Sequence, residues 1–182
     1  MFMSNQASQS EKKLDEKTLV VILYLIEKLN GVLGKKHLQK MLFLVDLLSV
    51  KKFKEPITCF EFEKNHYGPF SEEVNLYLNH LQKKKLIEVK EFPFKNNEQK
   101  SFVRFYFNYK STVKNLLCKK VEPKKIMLLD DVISSYGNVS LQEVLDVVYS
   151  LETVKKSELH TPLQMAKIIE DDKSEVEEMD IF

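Results

Sequence analysis

Residues 35–50, KKHLQKMLFLVDLLSV, constrain the fold of this chain more than any other stretch. Leu38, Met41, Leu42, Val45 and Leu48 recur at helical spacing and make one apolar face. Phe43, Leu44 and Leu47 make much of the rest apolar as well. A helix at a protein surface keeps one side for water, so a helix that is greasy on most sides belongs in the middle of a core. The remaining chain must therefore supply the elements that cover it. With 182 residues, 43% hydrophobic and 30% charged, there is material for one core, or for one core plus a satellite helical piece.

The flanking segments read as follows. Leu19, Ile22, Leu23, Ile26 and Leu29 predict a helix from Asp15 that stops at Asn30-Gly31. Pro56 ends helicity after the central helix, and ITCFEFE (57–63) alternates like a short strand. At Tyr67-Gly68-Pro69 the chain turns a corner, with Gly68 free in its backbone angles and Pro69 fixing φ. Ser71 is placed as N-cap of the next helix, with Glu72 and Glu73 at its positive end. In that helix Val74, Tyr77, Leu78 and Leu81 point inward, and Asn75, Asn79, Gln82 and Lys83 point out. LIEVKEF and SFVRFYFNY, separated by PFKNNEQK, predict a β-hairpin with a basic tip.

Helix, helix, strand, helix, hairpin is the order of a winged helix. The expected fold is therefore α+β: a winged-helix-like core over residues 15–110, with a helical extension over 111–169 packed on it. In the extension, Pro123 opens one helix that stops at Tyr136-Gly137, and Ser140 with Glu143 forms a capping box for a second. Thr161-Pro162 with Gln164 opens a third. Residues 1–14 read as a disordered lead without the apolar core of a secretory signal, and residues 170–182 as a disordered acidic tail. No apolar run reaches the roughly 18 residues needed to span a bilayer. Cys59 and Cys118 lack metal-type or redox-type spacing and read as reduced, partly buried thiols of a cytoplasmic protein.

Function is less constrained. Residues 1–125 carry 24 Lys/Arg against 14 Asp/Glu, and residues 126–182 carry 4 against 13. The excess in the first part suits an anionic partner. Asn75, Asn79 and Gln82 offer amides that can pair with adenine in a major groove. Lys83, Lys84 and Lys85, with Lys90, Lys95, Lys100 and Arg104 on the hairpin, are placed to meet phosphates. Glu72 and Glu73 oppose this, since they occupy the helix end that usually enters the groove. Four glycines leave no phosphate-cradling loop, and His37, His66, His80 and His160 lack zinc-type spacing. No metal or cofactor is expected, and an enzyme is disfavoured. The closing Met179-Asp180-Ile181-Phe182 resembles the acidic, Phe-ended tips of bacterial single-strand-binding proteins, with Ile181 where those carry proline. That likeness implies a tail, with Met179, Ile181 and Phe182 as contacts, docking on a DNA-metabolism protein.

KKHLQKMLFLVDLL, followed by YGPFSEEVNLYLNHLQKKKLIEV, resembles the Panacea antitoxin domain, and LLDDVISSYGNVSLQEVLDVVYS is similar to that family's late helix pair. The carried residues are Leu38, Gln39 and Lys40, then Tyr67, Gly68, Pro69, Ser71 and Glu73, then Leu86, Ile87 and Glu88. The resemblance covers about residues 15–150. It implies a non-enzymatic module that neutralises a partner protein toxin. Two readings stand: a regulator that binds DNA through the 71–85 helix and the 86–108 hairpin, and a protein-binding antitoxin or adaptor.

Overall fold

The computed structural model describes residues 14–29, 32–94, 97–108 and 112–179. The chain runs α1 (Glu16–Lys28), β1 (Val32–Leu33), α2 (Gly34–Phe53), β2 (Glu63–Asn65), β3 (Gly68–Phe70), α3 (Glu73–Lys83), β4 (Ile87–Phe94) and β5 (Asn97–Phe107). It continues with α4 (Lys114–Lys120), α5 (Pro123–Tyr136), α6 (Leu141–Ser150), α7 (Glu152–Lys156), α8 (Met165–Asp171) and α9 (Lys173–Glu178). The fold is α+β, with a three-stranded antiparallel sheet in the order β1-β5-β4 and a separate β2–β3 hairpin.

α2 is the axis of the structure. Every residue from His37 to Ser49 is buried, and α5, α6, α8, β3 and the β1–β5 edge of the sheet pack around it. Such a helix has no face for polar side chains, yet it carries several, and each must find a partner or lose free energy. Ser49 Oγ donates to the Glu55 carbonyl at 2.7 Å. Asp46 accepts from the backbone N–H groups of Ile57 and Thr58, both at 2.8 Å, and from the Thr58 hydroxyl. Burial pushes the Asp46 carboxyl up to about 6, while these donors pull the other way.

These bonds explain why residues 57–62 are not the strand that their alternation suggested. The run bends at Ile57 and Thr58 and joins no ladder. Its amides are taken by Asp46 and by the Thr18 hydroxyl, which accepts from Cys59 N at 3.1 Å. Thr58, Phe60 and Phe62 alternate inward, with Ile57 buried beside Thr58, and only Glu63–Asn65 pairs as a strand. Apolar alternation requires a buried face, and a helix can supply one as well as a sheet can.

The C-terminal third completes the cover. The Ser140–Glu143 capping box forms with both of its bonds. Residues 160–163 lie along β2: Lys64 N donates to the Thr161 carbonyl at 2.9 Å, and Leu163 N to the Phe62 carbonyl at 2.7 Å. The acidic stretch departs from the expected disorder as far as Met179, which is the last described residue. Ile168, Val176 and Met179 are buried, as is Asp172, whose carboxylate accepts from Thr153 N at the start of α7. Lys51 Nζ reaches the Val176 carbonyl at 2.9 Å. Net acidity proved a weaker signal than these apolar positions. Residues 1–13 and the tail contacts proposed at Ile181 and Phe182 lie outside the described residues. Cys59 and Cys118 are free and, contrary to expectation, exposed. Among the described residues, no helix is long and apolar enough to cross a membrane.

Replacing Asp46 by Ala leaves two buried N–H groups and a hydroxyl without an acceptor. The expected loss is about 3 kcal/mol of unfolding free energy, read from urea denaturation at neutral pH.

Candidate functional site

The Tyr67-Gly68-Pro69 corner is a hairpin turn rather than a direct strand-to-helix elbow. β2 reverses through His66 and Tyr67 into β3, pairing Asn65 with Gly68 and Lys64 with Pro69. Gly68 has φ +82°, a conformation that residues with a side chain resist. A Cβ there would also stand 3.6 Å from Tyr149 and Val148 of α6.

Two side chains of α2 grip the returning strand. Gln39 Nε2 donates to the Ser71 carbonyl at 2.8 Å, and Gln39 Oε1 accepts from the Ser71 N–H at 2.9 Å. The amide thus pairs with the backbone much as an adjacent strand does. Lys40 Nζ donates to the Pro69 carbonyl at 2.8 Å. From the other side, the Tyr149 hydroxyl donates to the His66 carbonyl at 3.2 Å, and the Lys64 ammonium lies 4.3 Å over the Tyr149 ring.

Ser71, expected to cap α3 with its hydroxyl, does not do so. The N-cap position falls to Glu72 without a side-chain bond, and Ser71 Oγ is buried with no hydrogen-bond partner among the described residues. Gln39 holds the Ser71 backbone on both sides, which fixes that residue one position before the N-cap Glu72.

The corner is rich in positive charge. Lys40 is only 2% exposed. Burial, reinforced by the like charges of Lys36 and Lys64, brings its ammonium down to about 8. Burial also lowers Lys64. Lys35 and Lys36 stand in the first turn of α2, which holds no acidic residue, although that end of a helix favours carboxylates. Lys36 Nζ sits 3.3 Å from the centroid of the Tyr67 ring. Between these groups and α3 lies a cavity of about 240 Å³, whose walls include Lys35, Lys36, Lys40, Asn65, Tyr67 and Asn75.

The residues proposed for DNA contact divide. Asn79, Gln82, Lys83, Lys84 and Lys85 are exposed together at the C-terminal end of α3. Lys85 has φ +55° and turns the chain out of the helix. Asn75 is half-buried, donates to Glu72 Oε2 at 3.1 Å and faces the cavity. Arg104 is half-buried on β5, opposite Lys90. Lys95 and the side chain of Lys100 lie outside the described residues. Glu72 and Glu73 sit at the opposite end of α3 from the lysines.

Sequence reasoning singled out Tyr67, Gly68, Pro69 and Ser71 but overlooked the cavity beside them. The available signal was Gln39 and Lys40, two polar residues in a helix otherwise apolar nearly all round. Among the described residues, no group of three His, Cys, Asp or Glu side chains is placed to hold a metal ion.

A family model described as Antitoxin SocA-like, Panacea domain matches residues 38–153. The matched span contains Gln39, Lys40 and the whole corner, and the chain belongs to this family. No curated protein and no solved structure matches the chain.

Because the folded pKa of Lys40 lies below its unfolded value, the unfolded chain binds more protons between about 8 and 10.5. Stability contributed by this group therefore rises with pH through that window and is lost as pH falls through about 8. Urea unfolding at about pH 9.5 should give a free energy about 1–2 kcal/mol higher than at about pH 7.5, with Lys40→Met removing most of the difference.

Proposed function

We propose that this protein is a non-catalytic, antitoxin-type regulator that acts by binding a partner protein at the surface around the corner. The observation that carries this reading is the family match across residues 38–153, a span that includes the corner. The local surface supports it. Tyr67 is 55% exposed and Leu76, one position beyond the cavity-lining Asn75, is 47% exposed. Both are carried on a base fixed by Gln39, Lys40 and Tyr149. Exposed apolar side chains on a rigid mount, with Lys36 against Tyr67 and Glu72, Glu73 and Asn79 on the helix around Leu76, suit an interface with an anchoring centre and a polar rim.

The test is co-purification of the tagged protein from its own host, comparing wild type with Tyr67→Ala/Leu76→Asp. A partner held stoichiometrically by the wild type should fall about tenfold or more in the variant, with circular dichroism unchanged. Co-expression should separately show that this partner is toxic alone and tolerated with the wild type. Equal recovery by both forms would reject the corner as the contact surface.

DNA binding by a winged-helix-like module is a second reading, favoured by one arrangement. α1, β1, α2, α3 and the β4–β5 hairpin, with sheet order β1-β5-β4, present Asn79, Gln82 and Lys83–Lys85 beside the hairpin. Alanine at Lys83, Lys84 and Lys85 should then weaken binding to a duplex and flatten its salt dependence by up to about three phosphate contacts in fluorescence anisotropy. No binding by the wild type at low salt would eliminate this reading.

A further inference from the structure

We propose that the cavity between the first turn of α2, the corner and α3 is a binding site for one phosphate-type oxyanion, held by Lys35, Lys36 and Lys40 with amide support from Asn65 and Asn75. This site goes beyond partner binding and does not depend on it.

The wall chemistry is one-sided. Lys35, Lys36, Lys40, Asn65 and Asn75 line a space of about 240 Å³ that has no carboxylate among its lining residues. Asn65 keeps its amide nitrogen for a ligand while its oxygen accepts from His66 N–H, and Asn75 spends one N–H on the adjacent Glu72 carboxylate. The third amide, that of Gln39, is committed at both ends to the Ser71 backbone and serves as wall. Lys40 carries the argument furthest. Its ammonium has three protons but donates to one acceptor among the described residues, the Pro69 carbonyl. At 2% exposure water is excluded from most of the side chain. A buried cation is normally retained with an opposite charge, yet the charges that bear on Lys40 are those of Lys36 and Lys64, both of its own sign.

A second feature converges on the same space. Lys35 and Lys36 sit at the N-terminal end of α2, where free N–H groups and the helix dipole are already positive. Without an anion, helix end and lysines repel one another. With one, the unused protons of Lys40, the two surface lysines and the dipole all gain a common counter-charge. The size also selects. The space lies below the ~300–1,000 Å³ typical of drug-sized ligands, so it takes a single phosphate group rather than a large cofactor. Tyr67 at the rim leaves a flat ring beside it. The same site chemistry accepts a free phosphate or the end of a monoester. The family match starts at Leu38, so Lys35 and Lys36 precede it.

The experiment is thermal unfolding of the full chain at pH 7 titrated with sodium phosphate, adenosine monophosphate or sodium chloride at equal ionic strength. The same titrations are run on Lys35→Ala/Lys36→Ala and Lys40→Met. The expected result is a saturable rise in Tm with phosphate, no such rise with chloride, and at least tenfold weaker response in the double variant. Both replaced lysines of that variant are exposed, so it keeps the fold if Lys40→Met does not. A half-saturation at least tenfold lower for the monophosphate identifies a monoester as the source, and equal half-saturation identifies the phosphate ion. Equal responses of wild type and double variant, or equal effects of chloride and phosphate, would overturn the site.

Discussion

The structure depends on a helix that gives up its solvent face. Once α2 is enclosed from His37 to Ser49, its polar side chains depend on partners from within the protein, and both ring nitrogens of His37 are left without a hydrogen-bond partner among the described residues. Ser49, Asp46, Lys40 and Gln39 are answered in turn by Glu55, by Ile57 and Thr58, by Pro69 and by Ser71. The partners run along the chain in the opposite direction to the helix. The segment after α2 is thereby laid back along it and delivered, in a fixed position, to the start of α3. Hydrophobic burial makes the centre, and the few polar residues left inside it decide the path of the connecting chain.

The same constraint accounts for what the sequence could and could not show. Helical periodicity located α2, and the Ser140–Glu143 pair located the start of α6, because both signals are local. The corner residues were also visible, since glycine followed by proline has few uses other than a bend. Their mode of attachment was hidden, because Gln39 and Ser71 are far apart in the chain and meet only in space. ITCFEFE alternated correctly into the core, but alternation does not say whether the buried side faces a sheet or a helix. The acidic end was misread for a related reason. Ile168 on α8 and Val176 and Met179 at α9 are few and widely spaced buried residues, and the surrounding acids obscured them.

Charge is organised around α2 as well. At its C-terminal end Lys51 finds the Val176 carbonyl, a favourable place for a cation. At its N-terminal end Lys35, Lys36 and Lys40 gather where cations are least welcome. Lys125 shows the ordinary solution for a buried lysine, an ion pair with Glu55 at 2.5 Å that holds the Glu55 carboxyl below its usual range. The corner lysines have been given no such carboxylate among the described residues, so the contrast lies within a single fold.

The ties along α2 also form a graded series. They span 6 residues at Ser49–Glu55, 11 at Asp46–Ile57, 29 at Lys40–Pro69 and 32 at Gln39–Ser71. Each closure shortens the loop left for the next, so the entropic toll of the longer ones falls once the shorter ones are made. On loop entropy alone the Ser49 tie costs least to close and the Gln39 tie to the corner costs most. The ties to the corner are thus the ones whose loss leaves the inner fastenings and the hydrophobic centre intact.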